Sequence, residues 1–251
     1  MNKFTYETAL SQSSRLKTRE ISAVELMQST LDRIGAVNGE INAIVSLRDG
    51  DDLLAEARGA DHAERKGWLH GIPIAIKDLG NAAGLPTSMG SLLFAHSVSA
   101  TDDILVTRLM AAGALVIGKT NTPEFGLGSH TFNPVFGATK NPYDQTKSAG
   151  GSSGGAAAAL ATGMLSVADG SDMMGSLRNP AAWNNVYGMR PTFGLVPSEP
   201  MGDTFLHHLA TNGPMARDPS DLAALLDTMA GSDPRHPLGI DQSPAYPTIN
   251  E

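Results

Sequence analysis

The spacing of apolar residues changes character near residue 68. Before that point it is helical. Ser22-Ala23-Val24-Glu25 reads as a capping box, in which the Ser22 oxygen satisfies a free N–H of the first turn and Glu25 reaches back. Val24, Leu26, Met27, Leu31 and Ile34 then fall at helical spacing through Gly35. Asn42 to Leu47 reads as a buried strand, and a polar helix over about 51–66 stops near Gly67. Beyond it, short apolar runs alternate with helical segments. Ile72 to Lys77 is a strand ending in a lysine, Asp102 to Ala112 a helix closed by Gly113, and Ala114 to Ile117 another buried strand. An alanine-rich helix over Gly155 to Thr162 precedes a strand at Leu165 to Ala168. Asp218 and Pro219 open a last helix as N-cap and first turn, and Gly231 closes it. Alternating strands and helices predict an α/β fold, a sheet covered by helices. The chain divides into a helical part to about 68, a core over about 69–232 and an irregular tail from 233 to 251, where prolines fall at 234, 237, 244 and 247. No internal repeat is visible.

Composition narrows the function classes. Over 251 residues, 41% are apolar and 18% charged, a globular balance. A net charge of −8 and a pI near 5.3 argue against general binding to nucleic acid or anionic membranes. The absence of cysteine excludes disulfides, thiolate metal sites and a cysteine nucleophile. No apolar run approaches the roughly 18 residues of a membrane span. Met1 to Glu7 lacks the apolar core of a secretory signal, so a cytoplasmic location is expected.

Gly113 to Thr120 fits the phosphate-loop pattern G-x-x-x-x-G-K-[ST]. Its variable positions are Ala-Leu-Val-Ile, which favour a strand over a loop, and Asn121, Thr122 and Pro123 begin no helix. A helix end, a strand and a turn are expected here instead. His207 and His208 are adjacent and read as loop residues without a metal. Arg217 and Asp218 read as no more than the start of a helix.

Three features carry candidate chemistry. Gly150-Gly151-Ser152-Ser153-Gly154-Gly155 leads straight into the alanine-rich helix. It is either a flexible linker or a turn offering N–H groups and hydroxyls at the positive end of a helix. Asp169 to Pro180 follows a strand as a small-residue loop holding Ser176, with either an ordinary turn or an anion-binding nest of backbone N–H groups. Asp172 and Arg178 are placed to pair and fix it, or to form a surface ion pair of little weight. Lys77 either snorkels from its strand or belongs to a site.

Together, Lys77, the Gly150–Gly155 run and the Asp172–Arg178 segment resemble the amidase signature family of Ser-Ser-Lys amidohydrolases. In that family the nucleophile lies 24 residues after the first serine of the run, and Ser152 plus 24 is Ser176. Gly71 to Asp78, Gly118 to Gly126, Lys140 to Asp144 and Gly188 to Thr192 also resemble the family's blocks, most densely between about 70 and 200. The resemblance implies a mixed, mostly parallel sheet covered by helices on both faces and incomplete at its C-terminal end. It implies a catalytic set of Lys77, Ser152 and Ser176, with Ser152 joined to its neighbour by a cis peptide bond. The backbone N–H groups of Met173, Met174, Gly175 and Ser176 would form the oxyanion hole, and Ser153 would support the relay. The implied reaction cleaves a carboxylic amide through an acyl-enzyme, with no metal or organic cofactor. The partner is then a small-molecule amide, and a homodimer is compatible.

The chain departs from the family in three ways. Met174 stands where the family usually has glycine, so it is either strained at positive φ or an apolar wall of the acyl pocket. The Met173–Met174 pair favours apolar acyl or aryl amides. Asn179 stands where an apolar residue is more common, as a pocket donor or a surface group. Family members are commonly about twice as long, so an open sheet edge and exposed apolar surface are expected. Other readings are a glutamine-hydrolysing component of an amidotransferase that works beside a partner, and a truncated, inactive amidase.

Overall fold

A computed structural model describes residues 4–200, 205–206 and 208–241; His207 and the prolines at 244 and 247 lie outside them. In chain order the elements are α1 (Ala9–Lys17), α2 (Ala23–Ile41), β1 (Ile44–Val45), α3 (Gly50–His62), β2 (Pro73–Lys77), α4 (Ile104–Ala111), β3 (Leu115–Thr120), β4 (Phe132–Asn133), β5 (Gly137–Ala138), α5 (Gly154–Ala161), β6 (Val167–Asp172), α6 (Arg178–Trp183), β7 (Tyr187–Gly188), β8 (Thr211–Ala216) and α7 (Pro219–Met229). The capping box forms as expected: Ser22 Oγ accepts the Glu25 N–H at 3.1 Å and Glu25 Oε2 accepts the Ser22 N–H at 2.8 Å. The helix it opens runs past Gly35 to Ile41, where Asn42 ends it in the left-handed conformation (φ 57°). Asp218 caps α7 with Pro219 in its first turn.

Strands β1-β3-β2 form one ladder and β6-β8-β7 another, with β2 beside β6. Side chains alternate across these strands. Ala75, Ile117, Ala168 and Met215 pack into one core with α2, α3, α5 and α6. Ile74, Ile76, Val116, Val167 and Ala216 pack into a second core with α1, α4 and α7. Helices therefore cover both faces, as the family resemblance implies.

The expectation of a mostly parallel sheet is corrected. Only β2–β3 is parallel among the described ladders of these sheets; β1–β3, β6–β8 and β7–β8 are antiparallel. Parallel pairing needs a return crossover, which α4 supplies for β2 and β3. The 173–210 segment instead brings the chain into β8 opposite the point where β6 stopped, Thr211 facing Asp172.

Two further readings change. Asp169 to Asp172 is the second half of β6 and not a loop, because β8 pairs with it from Pro214 to Thr211. Arg217 is more than a helix start. Its half-buried guanidinium donates to the carbonyls of Leu160 (2.9 Å), Leu165 and Glu7 (3.0 Å), tying the C-terminal end of α5 to the segment that leads into α1. Exposed apolar side chains gather in two touching loops, where Leu92, Leu93 and Leu127 stand in solvent and Phe94 meets Phe125 edge to face at 6.2 Å. Among the described residues, no helix is long and apolar enough to cross a membrane.

Candidate active site

Lys77 is the last residue of β2, two positions beyond Ala75 and so on the α5 side of the sheet. It is 2% exposed. Its Nζ lies 2.7 Å from Ser152 Oγ, 2.9 Å from Ser153 Oγ and 3.0 Å from Ser171 Oγ. No carboxylate is in salt-bridge contact with it among the described residues. Burial pushes the amine down from its ordinary value to about 7, and the charges of Asp169 and Asp172 only partly oppose this. A neutral amine has two N–H donors and one lone pair, so three surrounding hydroxyls satisfy it and one of them can hand it a proton.

The hydroxyls are delivered by the glycine-rich turn. The Gly151–Ser152 peptide is cis, as the family resemblance implies. Ser153 is the N-cap of α5, yet its hydroxyl makes no cap bond and turns to Lys77. Gly155 lets this helix end sit against the chain after β3: a Cβ there would lie 2.3 Å from the Asn121 N atom. Gly170 does the same for β6, where a Cβ would lie 2.8 Å from Ser153 Oγ. The glycine run is a built turn, not a linker.

Asp172 organises the loop that carries Ser176. Its fully buried carboxylate accepts N–H groups from Gly175 (2.7 Å) and Leu177 (3.1 Å) and a two-pronged contact from Arg178 (3.0 and 3.1 Å). Burial alone would raise this carboxyl; the Arg178 guanidinium and the two backbone donors outweigh it and bring it to about 2. Arg190 adds a third cationic contact, its Nε 3.5 Å from Asp172 Oδ1 and donating to the Asp172 carbonyl at 3.3 Å. Ser176 is half-buried, and its carbonyl accepts the Ser153 N–H at 3.1 Å, which locks the loop to the head of α5. No hydrogen bond joins the Ser152 and Ser176 hydroxyls among the described residues.

One of the four N–H groups expected to form the oxyanion hole is already engaged. The Gly175 N–H is already given to Asp172, whereas those of Met173, Met174 and Ser176 donate to no described residue. Gly175 holds the loop's positive φ (115°), and a Cβ there would strike the Asn179 side chain at 2.7 Å. Asn179 therefore packs against the turn. Met174 is not at positive φ, so it is unstrained, and at 83% exposure it walls no pocket. Met174→Ala is expected to change the unfolding free energy by less than about 0.5 kcal/mol in urea titrations; a loss well above that would mean the side chain is held.

A cavity of about 550 Å³ opens on Lys77, lined also by Asp169, Ser171, Met89, Met173 and Phe193. Ser152 and Ser176 are not in its lining. A second hollow of about 590 Å³, between Arg48, His70 and Met110, holds none of the site residues. Lys119, the lysine of the phosphate-loop pattern, is wholly buried in β3 with its Nζ on the Gly80 carbonyl and 3.9 Å from Asp78. It is unavailable to a phosphate. His208 stacks on Phe193 at 4.9 Å. No group of three or more metal-ligating side chains exists among the described residues.

The family model described as Amidase matches residues 25–247. The chain belongs to the amidase family. It is 40% identical over 242 residues to the acylamidase of Rhodococcus erythropolis, covering 94% of this chain and 50% of that one. It is 41% identical over 235 residues to a component of the glutamyl-tRNA(Gln) amidotransferase of Corynebacterium jeikeium, covering 92% of this chain and 47% of that one. The crystal structure of a bacterial aryl acylamidase of the amidase signature family superposes with a TM-score of 0.90 at 32% identity, covering 95% of this chain and 50% of that one. The chain spans about half the length of the curated relatives it matches.

Sequence reasoning misses Ser171, Asp169 and Arg190. The loop expected over Asp169 to Pro180 hides the first two, and Arg190 lies in a family-like block without a role. The hydrophobic start of β6 and the even spacing of Asp169 and Ser171 are the signal that could place them on one strand.

Proposed function

We propose that this amidase-family chain carries the catalytic part of an amide hydrolase, with Ser176 as nucleophile and Ser152 and Lys77 as its proton relay. The observation that carries the reading is the Lys77 amine, buried among three hydroxyls without a carboxylate partner and brought by burial to about 7. Such an amine is a base at neutral pH. The Ser176 hydroxyl passes its proton to Ser152 as Ser152 passes its own to Lys77, and Ser176 Oγ bonds to the amide carbon. The carbonyl electron pair moves onto oxygen, which the unbonded N–H groups of Met173, Met174 and Ser176 receive; one such donor is worth about 3–4 kcal/mol in hydrolases. The C–N bond then breaks, and the proton returns along the relay to the departing nitrogen. Water repeats the sequence on the acyl-enzyme and releases the acid. The chemistry needs no metal or organic cofactor. The Ser152–Ser176 link closes when substrate seats the Ser176 hydroxyl, since catalytic contacts commonly tighten only in the complex.

The apolar cavity wall of Met89, Val106, Met173 and Phe193 suits an apolar acyl or aryl group. The similarity to a glutamyl-tRNA(Gln) amidotransferase component supports a second reading, glutamine hydrolysis for transfer to a partner. A fluorophosphonate probe read by intact mass tests the proposal. One adduct on the parent chain and none on Ser176→Ala is the expected result; a folded chain that takes no adduct overturns it. Ammonia release from glutamine and amine release from an aryl amide, measured side by side, separate the two readings.

A further inference from the structure

Asp169 has no place in the relay described above, yet it is bound to it. It sits in β6 and is 3% exposed. Its neighbour across the β8 ladder is Pro214, which has no N–H to offer. On the other side β2 runs beside β6 without a ladder. There the main-chain N–H of Lys77 closes on Asp169 Oδ1 at 3.0 Å, so a carboxylate does what a strand carbonyl would do. No described residue donates a hydrogen bond to Asp169 Oδ2, and the side chain lines the cavity that Lys77 also lines.

We infer that Asp169 is a positioning residue for Lys77: it anchors the lysine's main chain to β6, and its charge sets the pH at which the amine becomes a base. The inference rests on the reading of Lys77 as that base.

The groups around the pair support it. Lys77 from β2 and Lys119 from β3 are the cations that act on Asp169. Asp172, further along β6, is the other carboxylate acting on Lys77. Across the cavity stand Asp103 before α4, Glu199 and His236. Helix α5 and strand β8 carry no titratable residue, and Arg178 of α6 is taken by Asp172. Arg108 of α4 is turned to the carbonyls after α7, and Asp221 of α7 to the N–H groups of Ala9 and Leu10. Asp169 is thus the carboxylate bonded to the main chain of the lysine it would tune. Burial pushes Asp169 up to about 6, the Lys77 N–H and the two lysine charges opposing it, so it is ionised over the range in which Lys77 loses its proton. A negative charge there favours the ammonium. Removing it lowers the pH at which the amine deprotonates.

The two parts of the role separate in two variants. Asp169→Asn keeps an acceptor for the Lys77 N–H and loses the charge; Asp169→Ala loses both. With lysine labelled at 13Cε, the Lys77 titration midpoint is expected to move about one pH unit lower in Asp169→Asn. The acid limb of kcat/KM should follow it. Asp169→Ala should show the same movement plus a fall in kcat of about tenfold, restored in Asp169→Asn, with KM unchanged in both. A Lys77 midpoint that stays in place in Asp169→Asn overturns the inference. If the variants do not fold, the parent chain still decides: the Lys77 13Cε signal should inflect as the Asp169 13Cγ signal titrates, and independent titrations overturn the inference. The midpoint is read without turnover. A chain that hydrolyses no amide yet shows the shift would therefore support the coupling while defeating the hydrolase reading.

Discussion

Replacing Lys77 with methionine is expected to lower amide turnover by about three to four orders of magnitude. Methionine keeps the length and apolar stem of the side chain but has no lone pair to take a proton from Ser152. KM for the amide should change little, because methionine fills the space that the lysine stem takes beside the cavity. The same substitution has a signature in stability. Folding lowers the lysine from its ordinary 10.5 to about 7. Between those values the unfolded chain holds the proton and the folded chain does not. Stability therefore rises with pH across that window, at no more than about 1.4 kcal/mol per pH unit from this group. Below about 7 both states are charged and the burial penalty is at its largest. Urea unfolding from pH 7 to 10 should show this rise in the parent chain and a flatter line in Lys77→Met. A variant with parental turnover, or with the parental pH slope, would remove Lys77 from the relay.

The second large effect is expected at Asp172. Asp172→Ala leaves the Gly175 and Leu177 N–H groups without their acceptor and two guanidinium groups, Arg178 and Arg190, without their shared anion. Breaking a buried charged cluster by removing one partner costs about 3–5 kcal/mol. The lower end applies here, because Arg178 is 55% exposed and recovers water. The loop also releases the peptide units that carry the free N–H groups of Met173, Met174 and Ser176, so kcat should fall by about two orders of magnitude. Asp172 is depressed in the folded chain to about 2 from 3.8. The stability it provides is fully present above pH 3.8 and is lost as pH falls through about 2. Denaturant titrations at pH 7 and at pH 2 check this: the gap between parent and variant should be wide at the first and nearly closed at the second. An equal gap at both would mean that the carboxylate's charge is not what holds the loop.

Local signals in the sequence are accurate where the physics is local. Ser22 and Glu25 cap a helix, Asp218 and Pro219 open another, and Ile74 to Ile76 form a strand, all from residues within one turn or one pleat of each other. The family resemblance, through its spacing, singles out Ser152 and Ser176, and the structure joins their turns through the Ser153 N–H and the Ser176 carbonyl. What stays hidden depends on partners distant in the chain. Thr211 to Ala216 contains Asn, Gly and Pro and has little strand propensity, yet it lies between β6 and β7. Tertiary pairing decides its conformation, and with it the strand character of Asp169 to Asp172. The role of Arg217 is equally invisible locally, because the carbonyl of Leu160 that it caps is 57 positions away. The mostly parallel sheet that the family resemblance implies is not seen in the described ladders, because the direction in which β8 returns to β6 is set by partners distant in the chain.

Helix α5 is buried from Gly154 to Leu160, with no face to solvent. It cannot open without parting the sheet from the helices around it. Its amides should exchange with solvent only as the whole chain opens, in one cooperative unit with the strands beneath. Ser152 and Ser153 sit at its head, so the lysine and its hydroxyls come together and come apart with the global transition. Partial melting of α1 or the outer loops would leave Lys77 among its hydroxyls, whereas any event that frees α5 parts them at once.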